Sequence, residues 1–582
     1  MSFARRRRQR ATLLRRLRRR GAQLTEEIRI GVFVCDCGSN IAGYLDVKSL
    51  AEYAKTLPNV VFVKENLYTC SEGGINEIKA AIKGQNLNRV VVASCTPRTH
   101  EPLFRGTCAE GGLNPYLFEM VNIRDQCSWV HMQERETGTN KARDLIRMGV
   151  AKAALLKPQE PIQSPMDHRA MVIGGGIAGM TAALAIANRG YEVTLVEKSA
   201  DLGGLLLQLD KLAPSGADAA EIVRRQAGAV RSHPNIRLFT STVIDEVKGY
   251  IGNFKVSAST NGSKAQFDTG VIVVATGAQV FKPAGLYGYD GRKVITQLEF
   301  EAVLKSKTFA AKNVVMIQCV GARNEERKYC SRICCMVAIK NAIEIKQTNP
   351  EAGVRILYRD IQAYGTENEA LFQHAKELGV IFIKYDPARP PKVEEGKVIV
   401  YHDLLGREIS LPQDLVVLST PLVAGEDNET ISQLLRVSLD GNKFFLEAHV
   451  KLKPLDFATD GIYLCGNAHY PANVREAVSQ ALGAASRASI PLSKGVMSVE
   501  PIVSTLADED ACRGCGLCAA LCPYGALEIV RGEKGRKVRV IPVACKGCGV
   551  CAATCYQHAL SVNSYTDRQI GEQIKAFLDE SA

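Results

Sequence analysis

The sequence predicts an α/β protein of several domains: a small parallel α/β unit, then two successive strand–turn–helix halves, then a compact cysteine-rich module. Three observations predict it. Met171 to Lys198, MVIGGGIAGMTAALAIANRGYEVTLVEK, reads as buried strand, glycine-rich turn, helix and second strand. On both sides of it short apolar runs alternate with helical patterns, as in parallel sheets covered by helices. With 582 residues the chain should make three or four domains, because single cores stop growing near about 250 to 300 residues.

After an arginine-rich tail, 1–27, residues 28–157 hold the runs IRIGVFVC, VVFVKE, RVVVASC and YLFEMVNI, separated by helical stretches. Cys35 and Cys37 follow the first run, Cys70 the second, Cys95 the third and Cys127 the fourth. The carboxyl edge of such a sheet is where ligands bind. An iron–sulfur cluster on Cys37, Cys70, Cys95 and one of Cys127 or Cys35 is expected there, with ordinary buried cysteines as the alternative. Cys108 falls within a helix, where a structural thiol is expected. Pro158, Pro161 and Pro165 then mark a boundary.

In the first half, 166–300, Gly174-x-Gly176-x-x-Gly179 follows a strand and opens a helix containing Ile177 and Ala178. Glu197 and Lys198 end the second strand, Glu197 23 residues after Gly174. This is a dinucleotide-binding fingerprint: backbone approaches a pyrophosphate at the helix N-terminus, and the acid takes ribose hydroxyls. Gly203-Gly204-Leu205 follows the second strand. Farther on, VIVVATGA contains Ala275-Thr276-Gly277, and GIYLCGNAH contains Gly466-Asn467 ahead of a helical run in the closing segment, 441–495. These resemble the later FAD motifs of the thioredoxin-reductase and glutamate-synthase small-subunit flavoproteins. Asn467 stands where that class has Asp, and its amide can donate and accept. The lone His469 reads as structural, and no catalytic nucleophile arrangement is evident.

The second half, 301–440, should carry an NAD(P)H site in that class. Its first strand, NVVMIQ, instead runs into Cys319-Val-Gly-Ala-Arg, without a phosphate-cradling turn. Cys330, Cys334 and Cys335 complete four thiols within 17 residues, among Arg323, Arg327, Lys328 and Arg332. A [4Fe-4S] site is expected, its potential raised by the cations; zinc and a redox disulfide are the alternatives. In 500–563, Cys512-x-x-Cys515-x-x-Cys518-x-x-x-Cys522-Pro523 recurs as Cys545-x-x-Cys548-x-x-Cys551-x-x-x-Cys555-Tyr556. This is the bacterial two-cluster ferredoxin run, in which each fourth cysteine serves the other cluster. Cys512, Cys515, Cys518 and Cys555 would hold one cluster, and Cys545, Cys548, Cys551 and Cys522 the other. A C-terminal helix, 564–582, follows.

Composition narrows the remaining classes. The net charge is +12, but residues 1–20 contain 10 Arg and no acid, leaving 63 basic against 61 acidic residues in the body. That argues against nucleic acid as a partner of the folded part. The tail lacks the apolar stretch of an export signal. It reads as a disordered solvated segment or an upstream-start artefact, with a docking arm for an acidic partner or RNA as the alternative. No apolar run approaches the roughly 20 residues of a membrane span. Nineteen cysteines in groups point to ligands rather than disulfides.

The strings VCDCGSNIAG, ASCTPRTHEPLF, GLNPY, NIRDQCSWVH, GGGIAGMTAAL, the Cys330 to Cys335 run and CGNAHYP resemble the HdrA family, the iron–sulfur flavoproteins of heterodisulfide reductases, from Ile28 to Val562. The resemblance implies an FAD protein with several [4Fe-4S] clusters, here four. It implies a cytoplasmic oxidoreductase, often dimeric, in a complex with heterodisulfide reductase B and C subunits and with a hydrogenase or formate dehydrogenase donor module. The expected fold is a thioredoxin-reductase-like flavoprotein with two dinucleotide-binding domains, an N-terminal α/β iron–sulfur domain and a C-terminal 2[4Fe-4S] ferredoxin domain. The expected function is flavin-based electron bifurcation between the donor, ferredoxin and a disulfide reductase module. The alternative is an electron wire and scaffold, as in a benzoyl-CoA-reductase-type complex.

Overall fold

The run IGVFVC forms β1 (Ile30–Cys35), every residue buried, as expected of a strand covered on both faces. The computed structural model describes residues 27–260, 262–532 and 535–579; the tail expected over 1–27 lies outside them up to residue 26. After β1 come α1 (Val47–Ala54), β2 (Val60–Asn66), α2 (Glu72–Gly84), β3 (Arg89–Ser94), α3 (Pro97–Glu110), β4 (Phe118–Asn122) and α4 (Arg135–Ala153). Asp46 and Ser71 cap α1 and α2 by accepting from the amides of Ser49 and Gly74. The sheet order is β2-β1-β3-β4, all parallel, so the ends of β1 and β3 are neighbours.

The chain divides into two units, one of the segments up to Ile162 and from Val499 onward, the other of Gln163–Ser498. The second unit opens with β5 (Ala170–Ile173), α5 (Ile177–Ala187), β6 (Val193–Val196), α6 (Ala219–Ser232) and β7 (Ile236–Phe239). An antiparallel sheet, β8 (Thr242–Lys248), β9 (Phe254–Thr260) and β10 (Ser263–Thr269), leads into β11 (Val271–Val274). The next half holds β12 (Val294–Thr296), α7 (Gln297–Lys305), β13 (Asn313–Ile317), α8 (Cys334–Thr348), β14 (Gly353–Tyr358), α9 (Thr366–Glu377) and β15 (Ile381–Lys384). It carries its own antiparallel sheet, β16 (Lys392–Glu394), β17 (Lys397–His402) and β18 (Arg407–Pro412), before β19 (Leu415–Leu418). The chain then returns to the first half as β20 (Ile462–Leu464) and α10 (Val474–Leu492).

Both halves are five-stranded parallel sheets, β20-β11-β5-β6-β7 and β12-β19-β13-β14-β15. Helix α5 is apolar nearly all round, because it packs against α10 and α6 as well as the sheet. Strand β13 is buried on both faces. Val314 and Met316 pack with α7 and α8, while Val315 and Ile317 join Val398 and Val400 of β17.

The C-terminal segment pairs β21 (Ser504–Leu506) with a later strand. It continues through α11 (Leu517–Ala520), the hairpin β22 (Leu527–Gly532) and β23 (Gly535–Val540), and α12 (Val550–Thr554) to that partner, β24 (Leu560–Val562). The last helix, α13 (Asp567–Leu578), packs on α4 of the same unit, and Gln569 Nε2 donates to the Leu155 carbonyl at 3.2 Å. Beside that contact the buried Lys152 ammonium pairs with Glu119 at 2.8 Å and lies 3.8 Å from the centre of the Tyr565 ring. Among the described residues no helix is long and apolar enough to cross a membrane.

Candidate functional site

In the first half of Gln163–Ser498, three turns meet at the carboxyl ends of β5, β11 and β20. Gly174 leaves β5 at φ 107°, and a Cβ there would stand 2.3 Å from the Ala275 carbonyl. A Cβ on Gly179 would fall 1.8 Å from the Gly174 carbonyl, so helix and turn touch backbone to backbone. A Cβ on Gly176, by contrast, would meet nothing within 4 Å. That open face adjoins the start of α5, whose N-cap, Gly176 itself, offers no side-chain hydrogen bond to the free amides of Ile177 and Ala178. Free amides at the positive end of a helix form an anion site.

Around it the partners are set. Glu197, largely buried, accepts from the Gly175 and Ser199 amides, and a carboxylate has lone pairs left for a sugar hydroxyl. Lys198 turns away to Asp427. The Gly203-Gly204 turn lies against Gly175 and Gly176, with the Gly203 amide donating to the Gly175 carbonyl at 2.9 Å. Asn467 Oδ1 accepts from the Ala472 amide at 2.6 Å, which leaves its NH₂ as a donor. Thr276 Oγ1 and Gln480 Nε2 are buried without a protein partner. An orphaned hydroxyl and amide beside an open helix N-terminus fit a polar group such as the FAD diphosphate chain.

A cavity of ≈ 170 Å³ runs from this site into the second half. Leu205 and Asn467 line it on one side, and Glu301, Tyr364, Thr420 and Cys334 on the other. Its wall conceals polar groups that sequence reasoning missed. Lys340 pairs with the buried Glu301 at 2.7 Å, and Asn341, Gln297 and Ser419 form a hydrogen-bonded chain. The available signal was Lys340-Asn341 standing inside the apolar run of α8.

Four thiols gather beside that cavity, Cys334 in its wall. Cys319 follows β13 at φ 63°, and Cys334 and Cys335 open α8, whose N-cap Ile333 gives no side-chain hydrogen bond. The Arg332 amide donates to the Cys330 sulfur at 3.3 Å. Burial first, then the other sulfurs, pushes the Cys334 thiol well above the ordinary range. Cys335 is pushed up to about 11, again chiefly by burial, with Cys319 and Cys330 adding to it. Thiols so placed keep their protons unless cationic metal replaces them.

In the N-terminal segment the structure brings together Cys35, Cys37, Cys70 and Cys95. Burial and then Cys35 raise the Cys70 thiol, with Cys37 adding to it. Cys95 is pushed up to about 11 by burial, opposed by Arg124 and reinforced by Cys37, Cys35 and Cys70. Cys127 is packed into the domain core on the turn Arg124–Ser128; burial raises it to about 11, and Lys141 is the charge that opposes this. Cys108 sits inside α3, pushed up to about 12 by burial. Near the C-terminus, one cavity is bordered by Cys512, Cys515, Cys518 and Cys555. A second is bordered by Cys522, Cys545, Cys548 and Cys551. Gly516 and Gly549 start the short helices that carry Cys518 and Cys551. Among the described residues no three His, Cys, Asp or Glu side chains are drawn in tightly enough for a single metal ion. A polynuclear cluster needs a wider cage of sulfurs.

Comparison with known proteins agrees with this layout. Residues 168–317 match the pyridine nucleotide-disulphide oxidoreductase family, and 511–569 match the 4Fe-4S dicluster domain. The chain is 38% identical to a CoB–CoM heterodisulfide reductase iron–sulfur protein of Methanopyrus kandleri, over 87% of this chain and 92% of that one. It has the same identity and coverage to the corresponding chain of the "H(2):CoB-CoM heterodisulfide,ferredoxin reductase" of Methanothermobacter marburgensis. With a second heterodisulfide reductase iron–sulfur protein of M. kandleri it shares 37% over 96% and 98% of the two chains. That alignment runs over 659 residues against the 582 present here, so the relative carries internal segments without a counterpart. The thioredoxin reductase of Lactococcus lactis superposes on 56% of this chain and 100% of its own, with 18% identity and a TM-score of 0.41. An FAD-binding redox domain and a 4Fe-4S ferredoxin domain make the chain an oxidoreductase that transfers electrons by flavin and iron–sulfur centres; it belongs to the HdrA family of heterodisulfide reductase iron–sulfur flavoproteins.

Proposed function

We propose that this chain is the electron-splitting component of a heterodisulfide-reductase-like complex. FAD would be held by Gly174, Gly176, Gly179, Glu197, Thr276, Gly277, Gly466 and Asn467. Four [4Fe-4S] clusters would be held by the two ferredoxin sets, by Cys319, Cys330, Cys334 and Cys335, and by Cys37, Cys70 and Cys95. For the fourth N-terminal position the reading favours Cys35 over Cys127, because Cys35 keeps company with the other three. Bound there, FAD supplies what no side chain can: it takes up electrons as a pair and gives them up singly, whereas each cluster carries one.

One observation carries the reading: Leu205 and Asn467 line the same cavity as Cys334. The position that would admit a nicotinamide cofactor is occupied by thiols, so electrons enter from partner proteins. The apolar walls exclude water, the α5 N-terminus binds phosphate and Glu197 orients the ribose. The marburgensis relative is named for hydrogen, a heterodisulfide and ferredoxin, which supports a donor and two acceptors here. The proposed partners are heterodisulfide reductase B- and C-like subunits, a hydrogenase or formate dehydrogenase module, ferredoxin and a second copy of this chain.

The test uses the complex purified anaerobically with its own partners. Uphill reduction of ferredoxin requires a larger downhill transfer to the other acceptor, so ferredoxin should be reduced by hydrogen or formate only while disulfide is consumed. Ferredoxin reduction at full rate without disulfide would favour the wire-and-scaffold reading.

A further inference from the structure

The cations that accompany the Cys319–Cys335 run in sequence do not all face it. Arg327 lies 4.3 Å over the Phe281 ring and pairs with Glu326, while Arg332 reaches the Pro471 carbonyl and Glu476. Arg323 is different: its guanidinium pairs at 2.6 Å with Asp360, whose backbone carbonyl accepts from the Cys335 thiol at 3.7 Å. Arg359, distant in sequence, donates to the Arg323 carbonyl at 2.9 Å, and its Nε is buried without a partner.

A neutral group adds to them. Gln318, between β13 and Cys319, is fully buried, and neither its Nε2 nor its Oε1 has a hydrogen-bond partner. Side chains alternate along a strand, and Val314 and Met316 pack against α8. Gln318 therefore shares the face on which α8 lies, and α8 begins with Cys334 and Cys335. A buried amide left unpaired costs on the order of 1–3 kcal/mol, so an acceptor on that face is expected.

We propose that Arg323, Arg359 and the Gln318 amide form an electropositive cradle that raises the reduction potential of a cluster on Cys319, Cys330, Cys334 and Cys335, with Asp360 moderating it. The proposal rests on the cluster assignment made above. Reduction adds one negative charge to the centre, and fixed cations and N–H donors stabilise the reduced form more than the oxidised one. Arg323, Arg359 and Gln318 are positioning residues: they ligate nothing and set how readily the centre takes an electron.

The test is a redox titration of the full-length chain, loaded with iron, sulfide and FAD, followed by electron paramagnetic resonance. The signal lost in the Cys334→Ser/Cys335→Ser chain identifies this centre; loss of no signal and no iron would sink the cluster assignment and the proposal with it. Arg323→Gln should lower the reduced-to-oxidised ratio at fixed potential about tenfold, a 59 mV fall for a one-electron centre. Gln318→Leu should lower it less, and Arg323→Lys should restore most of it. Asp360→Asn, on a side chain half exposed to solvent, should move the midpoint upward, and Arg327→Gln should leave it in place. A structural disturbance would not give opposite signs at Arg323 and Asp360. An unmoved midpoint in Arg323→Gln at full iron content, or a downward move in Asp360→Asn, would overturn the proposal. If Arg323→Gln fails to load iron, the sign at Asp360 decides.

Discussion

The two halves of Gln163–Ser498 solve the same geometric problem with different chemistry. In each, a central buried strand, β5 or β13, ends beside a neighbouring strand and hands the chain to a helix whose N-cap supplies no side-chain hydrogen bond. After β5 the turn to Ile177 is short and made of glycine, and its open face suits a phosphate. After β13 the chain wanders from Gln318 to Ile333 before α8 begins, and this longer passage carries Cys319, Cys330 and the arginines. The carboxyl edge of a parallel sheet is thus a place rather than a function. What it binds is set by whether its turn presents bare amides or sulfur.

The largest expected effect tests the sulfur side. Changing Cys334 and Cys335 to Ser should remove about a quarter of the iron of a four-cluster chain and leave FAD content unchanged, measured as iron, sulfide and flavin per chain. Loss of flavin as well would show that the two halves do not hold their groups separately. The second test asks whether the nicotinamide role is gone: NADH or NADPH added to the isolated flavin-loaded chain should not bleach the flavin above the buffer rate.

On the glycine side, two neighbouring substitutions should separate. Gly179→Ala puts a Cβ into the Gly174 carbonyl and should lower both thermal stability and flavin content. Gly176→Ala meets open space, so the melting temperature of the flavin-free chain should hold while flavin affinity falls about tenfold or more, roughly 1.4 kcal/mol. Equal loss of stability in both would mean that the Gly176 face is not the phosphate site. The smallest effect is expected at Thr276, whose hydroxyl is buried without a partner. Thr276→Val should leave the flavin-free chain as stable or slightly more so, and weaken flavin binding by about 1 kcal/mol, roughly fivefold in Kd.

Much of this was legible because it is local. The strand–turn–helix at Met171, the alternating runs of the N-terminal segment and the paired cysteine runs all declare themselves within some thirty residues. What escaped depends on contacts between strands. Arg359 and Asp360 meet Arg323 because β14 runs beside β13, and no sequence pattern announces the register of two parallel strands. Glu301 and Lys340 meet between α7 and α8, a pairing that neither helix announces by itself. Cys35 and Cys127 each follow a strand and read alike, yet the turn Arg124–Ser128 folds Cys127 back into the core. The antiparallel sheets β8–β10 and β16–β18 were not foreseen either, because their strands are half exposed and carry only short apolar runs.

The seating of α13 on α4 bears on the order in which the protein is made. Lys152 and Glu119 leave the ribosome long before the ring that covers the ammonium, Tyr565. The amide that satisfies the Leu155 carbonyl, Gln569, follows that residue by 414 positions. The nascent N-terminal domain must therefore wait with a polar seam uncovered while the whole flavin-binding unit is being translated.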